Sequence, residues 1–208
     1  LDPRVRKVSF TGSPAVGWKL KGMLPKKRVT LELGSTSTAV VLPDADLERV
    51  LATLPGSAFG YAGQVCISAQ NAFIPRSRAN EFRDALIEAT RSFPTGNPLD
   101  EDVRCGPLIS VRAADEVFQK LHDSGGKVLA GGERNQALIQ PALLWEPDPM
   151  SLLVTEEVFG PVLNVLLYDD LAEPIQHLQR SPYAIHHAIY GHNEDAISQV
   201  IREVPSAG

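Results

Sequence analysis

One cysteine, Cys66, lies in the stretch GYAGQVCIS, and only one other, Cys105, occurs among the 208 residues. Gly60, Ala62 and Gly63 leave space beside it and bare a backbone whose amides could meet a substrate oxygen. A thiol so placed can act as a nucleophile when its thiolate is favoured and a base is near. It can equally be a small buried apolar group. Glu32, in VTLELGS, offers the base. A carboxylate between two leucines of an apolar strand is costly unless it is paired, functional or turned outward by strand alternation. Gly34, two residues on, lets the chain turn and shows the carboxylate at the strand's carboxyl end, where ligands sit in open α/β sheets. FTGSPAVG, residues 10–17, places Gly12 and Ser13 between a strand and a helix start. Free amides and the helix dipole there could cradle a phosphate, or the pair could be an ordinary turn and N-cap. TEEVFGPVL, residues 155–163, sets Glu156 and Glu157 before Phe159, and read alone it is a polar turn leading into a strand.

The elements that must position these residues alternate. Strands are expected over Val5–Phe10, Lys27–Leu33, Thr38–Leu42, Ala69–Ile74, Lys127–Ala130, Leu138–Leu144 and Val162–Tyr168. Helices are expected over Ala15–Lys21 behind Pro14, from Leu47 behind an Asp46 N-cap, and over Ala79–Phe93, Val111–Ser124, Leu171–Arg180 and Glu194–Glu203. Pro55-Gly56 should kink or split the helix begun at Leu47, and Pro94 should end the one before it. The alternation predicts an α/β fold with a mostly parallel sheet flanked by helices.

Composition is that of an ordinary globular protein, 43% apolar and 22% charged, and the net charge of −5 argues against nucleic acid or an anionic membrane as the main partner. No apolar run has the length to span a bilayer. His186 and His187 lack metal-like spacing to cysteines or acids, so no metal is expected. Without an export signal at the start, reduced thiols and a cytoplasmic setting are expected. The start at Leu1 and the end at Ser206-Ala207-Gly208 suggest a portion of something longer.

Taken together and in this order, the stretches VSFTGS, LELG, GQVC, GNPLDEDVRCGPLI and EEVFGP resemble the aldehyde dehydrogenase superfamily, whose members oxidise aldehydes with NAD or NADP. The resemblance runs from about Val5 to the end. Glu32 and Cys66 lie 34 positions apart (66 − 32), the family's spacing between base and nucleophile. It implies that Cys66 attacks the aldehyde, passing through a thiohemiacetal and a thioester, and that Glu32 activates the hydrolytic water. It also implies that Glu157 binds the hydroxyls of the nicotinamide ribose and that Phe159 packs beside the nicotinamide. Gly12 and Ser13 would flank the pyrophosphate, and the Gly34 backbone would lie near the nicotinamide.

The implied fold is the family's three-layer α/β/α catalytic domain over residues 33–208, truncated at its carboxyl end. Residues 1–32 would be the end of the dinucleotide-binding domain. The chain alone is then expected to bind NAD weakly and to show little activity. The full-length protein would be a homodimer or homotetramer. Two other readings stay open: an acylating relative that uses coenzyme A, against which Glu32 argues, and a catalytically silent domain. One departure stands out. After LELG the family continues with glycine, lysine and Asn or Ser before proline, where this chain has Ser35-Thr36-Ser37-Thr38.

Overall fold

The protein is described by a computed structural model covering residues 2–182 and 184–206. Leu1 and the final Ala207-Gly208, on which the expectation of a longer protein partly rests, lie outside the described residues. The chain opens with β1 (Lys7–Thr11), α1 (Pro14–Met23) and β2 (Arg28–Glu32), and β1 and β2 form a small parallel sheet of their own. There follow β3 (Thr38–Val41), α2 (Leu47–Phe59), β4 (Asn71–Pro75), α3 (Ala79–Arg91), α4 (Val111–His122) and β5 (Lys127–Ala130). After the short β6 (Arg134–Asn135) and β7 (Leu138–Ile139) come β8 (Ala142–Trp145), α5 (Leu152–Thr155), β9 (Val162–Tyr168), α6 (Ala172–Arg180), β10 (His187–Tyr190) and α7 (Glu194–Glu203).

Six strands form the main sheet in the order β10-β3-β4-β9-β8-β5, with every neighbouring pair parallel except β5 and β8. Strands buried on both faces should be apolar throughout, and VLNVLLY of β9 is nearly so. Alternate residues feed opposite layers. Val41, Ala72, Ile74, Leu163 and Val165 pack with Val50 and Leu54 of α2 and Phe82 and Leu86 of α3. On the other face Leu144 and Val162 meet Val117 and Leu121 of α4, while Val40 and Leu42 meet Leu178 of α6. Each such leucine or phenylalanine contributes about 1.5–3 kcal/mol when fully buried. The result is the three-layer arrangement expected.

Asp46 caps α2 as expected, accepting from the Glu48 amide at 2.9 Å. Pro55 does not split that helix, which runs unbroken to Phe59. A proline removes a single N–H donor, and here its ring is buried on the same face as Val50, Leu54 and Ala58, so packing outweighs the lost bond. The strand expected over Leu138–Leu144 is divided at Gln140-Pro141, because Pro141 brings no amide to a ladder and the Gln140 amide turns to the Glu133 carbonyl. The strand β10 went unread in the sequence. It extends the sheet through parallel pairing with β3, and His187 Nδ1 accepts the Thr38 amide at 3.2 Å.

Ser35-Thr36-Ser37-Thr38 is fully buried, which would be costly for unpaired hydroxyls. Ser35 and Ser37 share a hydrogen bond at 3.3 Å, Thr36 meets the Ser181 hydroxyl at 2.8 Å, and Thr38 donates to the Thr36 carbonyl at 3.1 Å. These bonds let the segment cross from β2 into β3.

Candidate active site

Three segments far apart in sequence enter the main sheet at one edge, the amino ends of its parallel strands. Residues 33–37 lead into β3, residues 60–70 into β4 and residues 156–161 into β9, and Thr38, Asn71 and Asn164 stand in one row across the ladder. Glu32 ends β2, at the carboxyl end of the small sheet as the sequence suggested. The site therefore lies where the carboxyl end of one sheet meets the amino edge of the other.

Glu32 is exposed, and its side chain makes no hydrogen bond or ion pair among the described residues. Its backbone carbonyl accepts the Gly12 amide at 3.0 Å, and Thr11 is its partner across the β1–β2 ladder, so Gly12-Ser13 and Glu32 are neighbours. Ser13 occupies the N-cap of α1, but its side chain makes no capping bond.

Gly34 and Glu157 are brought into contact across 123 positions (157 − 34). The Glu157 carboxylate lies where a Cβ on Gly34 would stand, and its Oε1 accepts the Ser35 amide at 3.2 Å. Burial pushes the Glu157 carboxyl above its ordinary value, opposed by the Ser35 amide and the charge of Lys120. Lys120, from α4, donates to the Glu157 backbone carbonyl at 3.1 Å and lies 3.7 Å from a Glu156 carboxylate oxygen. Gly34→Ala is expected to expel this carboxylate at little cost in stability, because the group in the way is the far end of a flexible side chain. Stability should fall by no more than about 1 kcal/mol, the low end of an overpacking cost, which is a melting shift of at most roughly 2–4 °C, while the Glu157 carboxyl signal titrates lower than in the parent. An unmoved titration would mean that the carboxylate does not rest on Gly34.

Cys66 is exposed, on a turn closed by the Ser68 amide donating to the Val65 carbonyl at 2.9 Å. The turn is fastened on both sides. Upstream, Gln64 Oε1 accepts the Ile109 amide at 2.9 Å and Nε2 donates to the Tyr61 carbonyl at 3.2 Å. Downstream, the Ser68 hydroxyl donates to the Ser57 and Ala58 carbonyls at the end of α2. Tyr61, Ala62 and Gly63 form a consecutive left-handed run with φ of 53°, 56° and 66°. Phe159 is left-handed too (φ 52°), so three of the five left-handed non-glycine residues among those described stand in the two segments around Cys66 and Glu157. Each costs of order 1–3 kcal/mol and persists only where surrounding contacts dictate it. Gly63 is seated so closely on the Gly160 carbonyl that a Cβ would overlap it. The cysteine segment and the EEVFGP segment are thus in direct contact.

A cleft of about 980 Å³ runs past this turn, with Val65, Ile67 and Ser68 on one wall, Arg104 and Ile109 on another, and Phe159 also lining it. A second cleft, of about 930 Å³ beside Phe73, His177 and Arg180, contains none of the expected site residues. Cys105 is fully buried, and burial raises its thiol from 9.0 to about 11. The sequence reading missed Lys120 and the buried amides Gln70, Asn71 and Asn164. The signal was present as a Gln-Asn pair at the head of one apolar strand and an asparagine in the middle of another.

Comparison with known proteins places these observations. A sequence model described as the aldehyde dehydrogenase family matches residues 1–208. Lactaldehyde dehydrogenase of Methanocaldococcus jannaschii is 37% identical over 193 residues, 91% of this chain and 41% of that protein. The crystal structure of glyceraldehyde-3-phosphate dehydrogenase GapN from M. jannaschii, complexed with NADP, superposes with a TM-score of 0.95 at 33% identity, covering 100% of this chain and 46% of that one. That of Mycobacterium tuberculosis aldehyde dehydrogenase, complexed with NAD+, gives 0.92 at 28% identity, with 99% and 45% covered. The chain thus spans less than half the length of the relatives it matches. Among the described residues, no helix is long and apolar enough to cross a membrane.

Proposed function

The chain belongs to the aldehyde dehydrogenase family, and we propose on that premise that it carries the catalytic machinery for oxidising an aldehyde to a carboxylic acid with NAD or NADP. One observation carries the reading: the segments bearing Cys66 and Glu157 and the segment that follows Glu32 enter the main sheet side by side, with Cys66 exposed on a fastened turn next to a cleft.

Cys66 supplies the nucleophile. Its thiolate adds to the aldehyde carbonyl, forming a carbon–sulfur bond and placing charge on oxygen, which the Cys66 amide helps to hold. NAD or NADP, held by Glu157, Gly12, Ser13 and Gly34, would supply the hydride acceptor that oxidation of that carbon requires. Cys66 is then left holding the acyl group as a thioester. Glu32 takes a proton from water, the resulting hydroxide attacks the thioester, and the carbon–sulfur bond breaks to release carboxylate and free Cys66. The residues present suit the cofactor. A half-buried carboxylate lodged on Gly34 can accept sugar hydroxyls, and Phe159 nearby offers a half-exposed ring. Gly12 and Ser13 would meet the pyrophosphate, and the Gly34 backbone the nicotinamide. Residues 1–32 are read as the end of the dinucleotide-binding domain, 33–208 as the catalytic domain, and the whole protein as a cytoplasmic homodimer or homotetramer.

The substrate class proposed is a three-carbon 2-hydroxyaldehyde. What supports it is that relatives named for lactaldehyde, 3-sulfolactaldehyde and glyceraldehyde 3-phosphate share that feature. The test is a chimaera in which this segment replaces its counterpart in the M. jannaschii lactaldehyde dehydrogenase. It should form reduced dinucleotide from lactaldehyde, with a Cys66→Ala chimaera inactive, whereas the 208-residue chain alone should form little. A folded chimaera with no aldehyde-dependent reduction of NAD or NADP would overturn the proposal.

A further inference from the structure

Gln70 stands four residues beyond Cys66, directly before β4, and is 6% exposed. Its side chain reaches across to the segment that carries Glu157. Oε1 accepts the Val158 amide at 2.8 Å, and Nε2 donates to the Glu156 carbonyl at 2.7 Å and the Leu153 carbonyl at 2.9 Å. Two of those groups lie immediately before and after Glu157. The Gln70 backbone is held as tightly: its amide donates to the Ser37 carbonyl at 2.9 Å, and its carbonyl accepts the Asn164 amide at 2.8 Å. One residue thus touches the segment after Gly34, the segment around Glu157 and the head of β9, while its own position follows from the Cys66 turn.

Two asparagines beneath it repeat the pattern. Asn71 Nδ2 donates to the Val154 carbonyl at 3.1 Å, and Asn164 Nδ2 donates to Asn71 Oδ1 at 3.0 Å and to the Leu153 carbonyl at 2.8 Å. The need for such partners is plain from the secondary structure. Between β8 and β9 the chain has only the four-residue α5, so buried amides and carbonyls there must find side chains. A carboxamide answers both needs with one planar group, offering a donor and an acceptor together. An apolar residue of equal size would take the partner from the Val158 amide and the Glu156 carbonyl, leaving the Leu153 carbonyl to Asn164 alone, and a carboxylate would oppose two carbonyl oxygens with its own charge.

We propose that Gln70 is a positioning residue: its carboxamide clamps the backbone on both sides of Glu157, so that the carboxylate rests on Gly34–Ser35 in fixed register with the Cys66 turn. The functional weight of this clamp rests on the reading of Glu157 as the residue that holds the nicotinamide ribose. The clamp itself is testable without cofactor or aldehyde, so its failure is separable from a failure of that reading.

The experiment uses the 208-residue chain, parent and Gln70→Leu, with amide exchange followed by NMR and the Glu157 side-chain carboxyl titrated in the presence of its charged neighbours Lys120 and Glu156. In the parent, the Val158 amide should exchange as slowly as that of Ala72 in β4. In Gln70→Leu it should exchange at least about tenfold faster relative to Ala72. At the same time the Glu157 carboxyl should titrate lower, as it leaves its buried seat. General destabilisation would speed Ala72 as well and would not move the titration of Glu157. A folded Gln70→Leu whose Glu157 titrates as in the parent overturns the proposal. If Gln70→Leu does not fold, the parent alone decides: protection of Val158 equal to that of Ala72 supports the clamp, and exchange at the rate of an exposed loop amide overturns it.

Discussion

Iodoacetamide should label Cys66 at least about a hundred times faster than Cys105 near neutral pH, read by mass spectrometry of the two peptides over a time course. Alkylation needs a thiolate that the reagent can reach. Cys105 fails on both counts. It is fully buried among Ala62, Leu108 and Ile139, and burial raises its thiol from 9.0 to about 11 against weaker lowering by Thr95 and the Ala62 backbone. That rise alone leaves about a hundredfold less thiolate than an ordinary thiol has at neutral pH. Access multiplies the difference, since the reagent meets Cys105 only when the surrounding core opens. Cys66 stands in solvent on the Val65–Ser68 turn beside the cleft. The sign with pH follows: a raised thiol gains thiolate as pH climbs toward 11, so the ratio should shrink in alkali and be greatest at neutrality and below. Equal rates at neutral pH would mean that the Cys66 thiol is closed off, and would favour a catalytically silent domain over an enzyme.

The candidate site residues were legible because their residue types stand out against their local surroundings. Cys66 stands out as a cysteine among small residues, Glu32 as a carboxylate in an apolar strand, and Gly34 as a glycine where the chain must turn. Their joint order carried the resemblance to the family, and the fold followed from strands and helices that alternate with clear apolar spacing. What stayed illegible depends on contacts remote in sequence. Nothing near Gly34 says that its missing side chain makes room for Glu157, and nothing near Lys120 says that its ammonium will reach the Glu157 carbonyl. The left-handed Tyr61 and Ala62 carry no local mark, because neither residue type favours that conformation and tertiary contacts impose it. The same holds for β10, where two adjacent histidines hid a short strand that exists only because β3 lies alongside it. Pro55 shows the converse, a strong local rule overridden by burial of the ring.

Gly63→Ala should be the most damaging single methyl group that can be added to the site. Two effects act on one atom. Gly63 has φ of 66°, where a side chain costs roughly 1–2 kcal/mol. Its Cβ would also overlap the backbone carbonyl of Gly160, which cannot swing aside as the Glu157 carboxylate can at Gly34. Gly160 is itself pinned, since a Cβ there would press into Val117 of α4, so the EEVFGP segment has no room to retreat. Forced overpacking costs typically 1–3 kcal/mol, and the two effects together come to about 3 kcal/mol. For a chain of this size that lowers the melting temperature by roughly 6–12 °C. The paired comparison is what decides. Gly34→Ala and Gly63→Ala add the same group to glycines of the same site, yet the first should leave the melt near the parent and move Glu157, whereas the second should drop it sharply. If Gly63→Ala melts within about 2 °C of the parent, less than 1 kcal/mol has been lost. The cysteine segment and the Glu157 segment would then not be seated on one another, and the rigid coupling between nucleophile and carboxylate on which the proposed chemistry depends would be absent.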